Sequence, residues 1–166
     1  MTNRTLTFML ALLLGVVYPL IANADDTLAR FEGGIGSQPL RSGGTPNVVQ
    51  GVNPGGIPWV IDRLSAEVKT NGRISVDGRG LLLGGGNNVG RAGGQSVRAR
   101  LFCGVVAHDS ALVPLDADGD FRINDVLQPA PPSPCDSAIL LIVNAGGSWF
   151  AAGIPARRRQ DTRFPF

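Results

Sequence analysis

Residues Trp59–Leu83 read WVIDRLSAEVKTNGRISVDGRGLLL. Ahead of Asn71-Gly72, the apolar residues Val60, Leu64, Ala66 and Val68 share one parity, and after it Ile74, Val76 and Leu82 do the same. Strand side chains alternate between two faces, so a period of two marks strands with one buried face. Asn-Gly is the favoured pair for a type I′ turn, because both central residues need positive φ, which Asn tolerates and Gly adopts freely. The stretch predicts a β-hairpin. The competing reading is an amphipathic helix on Ile61, Leu64, Ser65 and Val68. That spacing covers only a short piece, has no good cap and runs straight into Asn-Gly.

Working outward, more short apolar segments lie between turn residues. Val97, Ala99, Leu101 and Cys103 alternate with Ser96, Arg98 and Arg100, which predicts a half-buried strand with arginines on its solvent face. Leu112–Leu115 and Asp120–Ile123 flank Ala117-Asp118-Gly119 and read as a second hairpin, with Pro114 marking an edge strand. Ile139–Val143 is a continuous apolar run, followed by Ala145-Gly146-Gly147 and Trp149–Ile154. It predicts a third hairpin whose first strand is buried on both faces. Strands are also expected at Arg30–Ile35 and Val48–Val52. The 23 Gly and 12 Pro exceed average usage without reaching the level of disorder. The expected class is all-β, a two-sheet β-sandwich, immunoglobulin-like in the broad sense, with about eight strands.

The first residues carry an export pattern. Arg4 supplies a positive start, Phe8–Val17 is free of charge, and Pro19 breaks any helix. Ala22-Asn23-Ala24 then sets small residues where a signal peptidase reads them, ahead of Asp25-Asp26. Residues 1–24 are therefore expected to be a signal peptide cleaved between Ala24 and Asp25. The apolar run is shorter than the roughly 20 residues a bilayer span needs, and no later stretch is long enough. The expectation is one β domain over 25–155, secreted or periplasmic, followed by a basic, disordered tail over 156–166. Loss of Arg4 with the leader leaves 14 basic and 13 acidic side chains, a balance with no electrostatic case for nucleic acid.

Cys103 and Cys135 are the two cysteines, and in an exported chain an even pair predicts a disulfide. Closing a loop of about 30 residues is worth roughly 3–4 kcal/mol by chain entropy. Neither cysteine lies in a Cys-x-x-Cys motif, so a catalytic thiol is not expected.

His108, in Ala107-His108-Asp109-Ser110, is the single histidine and reads as an exposed loop residue. One histidine builds no usual zinc or copper site. A Ser-His-Asp triad needs only one, but neighbouring strand residues face opposite ways, so Ser110 and Asp109 cannot both serve it, and Gly-x-Ser-x-Gly is absent. Asp116-Ala117-Asp118-Gly119-Asp120 alternates carboxylates as calcium loops do. Its glycine stands fourth and Leu127 falls where an EF-hand needs glutamate, so the turn alone accounts for it. Gly84–Gly90 misses the phosphate-binding fingerprint because Val89 replaces its third glycine, and it reads as a long connection. Trp59 and Trp149 are expected in the core rather than as sugar platforms.

The segments Arg30–Gly36, Gly56–Ile61, Gly78–Leu83, Val97–Cys103 and Asp118–Ile123, taken together, resemble small exported bacterial proteins of uncharacterised function over most of the mature chain. That resemblance implies no activity, and the basic tail falls outside it. The sequence thus predicts a non-catalytic module binding an unknown protein or glycan, or serving a structural role, with no cofactor and no metal. The alternative is an extracytoplasmic hydrolase using His108 or the carboxylate pair Asp116 and Asp120.

Overall fold

The computed structural model describes residues 26–42 and 45–156. The predicted leader, its Ala24–Asp25 cleavage point and the tail beyond Ala156 lie outside the described residues. The strands are β1 (Thr27–Gly36), β2 (Arg41–Ser42), β3 (Thr45–Pro46), β4 (Trp59–Val60), β5 (Arg63–Lys69), β6 (Arg73–Arg79) and β7 (Leu82–Leu83). They continue with β8 (Ser96–Cys103), β9 (Val106–Asp109), β10 (Val113–Pro114), β11 (Phe121–Val126), β12 (Ile139–Asn144) and β13 (Trp149–Pro155).

The fold is all-β with one disulfide, but its main sheet is a curled antiparallel half-barrel rather than two stacked sheets. Strand order is β10-β8-β12-β13-β1-β5-β6-β11, and β9 also pairs with β8. The expected sandwich fails at β1, which pairs with β5 along its first half and with β13 along its second. Its register shifts between Phe31 and Gly34, where Gly33 holds φ at 93°. A bulge of this kind bends and twists a strand, so one strand serves both halves and the sheet curls instead of dividing. The curl brings its ends together. Asp109 and Gln128 exchange backbone hydrogen bonds of 2.8 and 2.9 Å across the seam between β9 and the end of β11.

The long hairpin forms as expected. β5 and β6 pair, and β4 pairs with β7 beyond them. Its turn differs from the expected type I′. Gly72 has φ 82°, Asn71 has no positive φ, and Gly72 N–H donates to Lys69 O at 2.9 Å. Val68 lies opposite Ile74, so the loop is the three residues 70–72. A two-residue turn on Asn71-Gly72 would put Ser75 opposite Val68 and turn Ile74 and Val76 to solvent. Burial of those side chains selects the longer loop. A type I′ pair occurs instead at Gln50-Gly51, with φ of 49° and 77°, in a tight turn bridged from Val49 to Val52. The strand expected at Val48–Val52 is this turn.

Phe31, Ala66, Val76 and Ile123 stand in register across β1, β5, β6 and β11 and are all buried in the concave core. Gly78 lies opposite Phe121, whose ring occupies the space a Cβ would need. The β12–β13 hairpin forms, and β12 is buried on both faces as its apolar run predicts. Leu140 and Ile142 join the main core, while Leu141 and Val143 join a second cluster with Val52, Phe102 and Trp149. The segment around Asn47–Gly55 seals that outer face: Trp149 Nε1 donates to Asn47 O at 3.2 Å, and Trp149 N to Asn53 O at 2.9 Å.

The Ala117-Asp118-Gly119 turn forms, yet its flanks do not ladder as a hairpin. β10 pairs with β8 and β11 with β6, which places them at opposite ends of the strand order. Pro114 lies on a terminal strand, as its missing N–H requires. The Cys103–Cys135 disulfide is present, with Cα atoms 5.1 Å apart.

Candidate functional site

The segment that covers β12 and β13 leaves the convex face of β1, β5, β6 and β11 open. Strand parity sets its residues in two transverse rows. Arg30, Glu67, Ser75 and Asn124 form one, and Glu32, Ser65, Asp77 and Arg122 the other. A shallow groove of ≈430 Å³ is walled by Glu67, Ser75 and Asn124. A second, of ≈670 Å³, is walled by Ser65, Asp77, Arg79 and Asp120.

Each row is tied by short contacts. Glu67 Oε1 accepts from Arg30 at 2.6 Å and from Thr27 at 2.7 Å, and lies 3.1 Å from Lys69 Nζ. These bonds, Arg30's first, hold its carboxyl at about 2. Asp77 accepts two bonds from Arg79, at 2.8 and 3.1 Å, and one from Arg122 at 2.9 Å, so its carboxyl too stays below the usual carboxylate range. Ser75 Oγ donates to Asn124 Oδ1 at 3.0 Å. The face is therefore polar, charge-balanced and free of aromatic rings. Its signal in the sequence was the parity of Arg63, Ser65, Glu67, Ser75, Asp77 and Arg79 opposite the apolar set.

His108 is not an exposed loop residue. It sits on β9, 2% exposed, because β8 pairs with β9 and sets Leu101 opposite it. Its Nδ1 lies 2.7 Å from the Pro129 carbonyl, an acceptor, so Nδ1 carries the proton. Nε2 is buried without a partner. Ser110 is turned elsewhere: its Oγ accepts from Ala99 N–H at 3.0 Å and donates to Ala111 O. Asp109 points to the other face, where Arg100 grips both carboxylate oxygens at 2.7 and 2.6 Å.

The carboxylates Asp116 and Asp120 have local duties. Asp116 Oδ1 accepts from the N–H groups of Asp118 and Asp120 at 2.9 and 2.8 Å, shaping the turn. Asp120 accepts from Arg79 Nη1 at 2.6 Å and Gly80 N–H at 3.0 Å, and Arg79 foremost lowers its pKa. A carboxylate stabilised as an anion is a weak base. Among the described residues no three His, Cys, Asp or Glu side chains converge as metal donors.

Both tryptophans are core residues. Trp59 stacks on Phe150 with centroids 3.9 Å apart, and Trp149 anchors the second cluster. The glycine-rich connection is pinned at its base: Leu83 N donates to Arg91 O at 2.9 Å, and Gly90 N to Leu83 O at 2.8 Å. His108, this loop and the tryptophans share no cleft among those described. No protein-family model, curated protein or solved structure matches the chain.

Proposed function

We propose that this chain is an exported, non-catalytic recognition or structural module, with its leader removed between Ala24 and Asp25. The observation that carries this reading is that the groups from which a hydrolase would be assembled have structural partners and do not converge: His108 and Ser110 are buried on backbone groups, Asp116 shapes its own turn, and Asp120 pairs with Arg79. The open face of β1, β5, β6 and β11 instead sets mutually paired charged and hydroxyl groups in rows at fixed spacing. Such a face suits a polar protein or glycan surface held by hydrogen bonds. Without aromatic rings it is poorly suited to sugar stacking, which favours the protein partner. The disulfide supports an oxidising compartment, secreted or periplasmic.

The test assays purified protein on broad esterase, peptidase and glycosidase panels, beside His108→Gln and the Asp116→Asn/Asp120→Asn pair. Absent activity supports the module, and activity unchanged in the variants overturns its non-catalytic character while excluding these residues as its source. Turnover abolished by either change in a folded protein would establish the hydrolase alternative.

A further inference from the structure

The two sulfurs of the Cys103–Cys135 bond occupy unequal positions. Cys103 ends β8, pairs with Val106 on β9, and belongs to the main core at 9% exposure. Cys135 belongs to no strand, is half-buried, and forms part of the wall of an open groove of ≈750 Å³ beside the first half of β1. Its lining is mixed: Leu28, Ala138 and Pro155 are apolar, and Thr27, Arg30 and Ser137 are polar, as a small polar thiol requires. Its volume falls within the range of small-molecule sites. Exchange at a disulfide depends on access and on which sulfur is attacked.

We propose that Cys135 is a thiol-exchange site of the folded protein, taking a small thiol of the glutathione class. The incoming thiolate attacks Cys135 Sγ, a mixed disulfide forms on Cys135, and the S–S bond breaks with its electron pair leaving on Cys103. That thiolate takes a proton from solvent. A second thiolate attacks the small-thiol sulfur of the mixed disulfide, releases oxidised thiol dimer and leaves Cys135 as a thiolate. Two equivalents of thiol are oxidised as one protein disulfide is reduced.

The fold is built to survive this step. β8 and β12 hold six paired positions of their own, beginning at Phe102 and Ile139. The segment before Cys135 is fastened separately by the Asp109–Gln128 bridge and by His108 on Pro129. Cys135 Sγ lies 3.8 Å from Phe102 O, so the protonated thiol has an acceptor where the bond had been.

Folded wild-type protein is treated with reduced glutathione without denaturant, acid-quenched, alkylated and mapped by peptide mass. The expected product carries glutathione on Cys135 and the alkyl label on Cys103, at a rate insensitive to low urea. Glutathione on Cys103, or reaction only at the rate of global unfolding, overturns the proposal. A second arm measures Cys103→Ser and Cys135→Ser with an aromatic disulfide reagent. The Cys135 thiol is expected to react on the order of tenfold faster than the Cys103 thiol. Equal or reversed rates in folded variants overturn it, and wild-type mapping decides alone if a variant does not fold.

Discussion

Glu67 receives hydrogen bonds from Arg30 and Thr27, and the result is a carboxyl held at about 2 against an ordinary 4.5. Because the folded form has the lower pKa, the stabilisation is complete above the unfolded value and disappears as pH falls toward 2. The side chain is 30% exposed and Arg30 54%, so solvent screening keeps the contribution small. Glu67→Gln should therefore lower the urea midpoint slightly near neutral pH, with the difference shrinking below the unfolded value and vanishing as pH falls through about 2. His108 belongs to the interior. Its Nδ1–H bond to Pro129 would be lost in His108→Leu, leaving a carbonyl unpaired, at a cost of about 1–3 kcal/mol in equilibrium unfolding. Nitrogen chemical shifts of the imidazole should report the Nδ1–H form in wild type. Nothing in Ala-His-Asp-Ser signals that burial, since it comes from β9 pairing on β8 and from Pro129.

Strand parity was legible wherever one face is apolar and the other polar, and for this reason β5, β6 and β8 could be read from sequence alone, while β12 and β13 were legible as apolar runs on either side of Ala145-Gly146-Gly147. Turns were less legible, because the residues that favour a turn do not fix how many residues it contains. At residues 70–72, burial of Val68 and Ile74 overrode the local preference of Asn-Gly. At Gln50-Gly51 a type I′ turn forms without its favoured first residue, and Gln50 carries φ of 49°. Gln50→Asn places a residue more tolerant of that conformation there and is expected to raise stability by about 0.5 kcal/mol, read as a shift in thermal midpoint. The open polar face was present in the sequence as the complement of the apolar parity. Its coherence across four strands depended on register, which a single strand does not contain.

Strand order lay beyond sequence reading because its decisive pairings are long-range. β1 joins β5 on one side and β13, over a hundred residues later, on the other. The disulfide was legible from an even pair of cysteines behind an export-like leader pattern, and its worth belongs to the whole molecule. Cys103→Ala/Cys135→Ala should lose roughly 3–4 kcal/mol in urea unfolding, because the open form regains the entropy of a loop of about 32 residues. Retention of the native far-ultraviolet spectrum is expected in this variant, since the β8–β12 ladder remains. The place of β1 between β5 and β13 also has a consequence in time. A chain made or threaded from its N-terminus holds β1 with one neighbour until the final strand emerges. Until then Phe31 and the central core stay uncovered on that flank, a cost of placing a long-range pairing at the centre of the sheet. Residues 149–155 act as the closing stitch, so commitment to the native state comes after synthesis has passed the last strand.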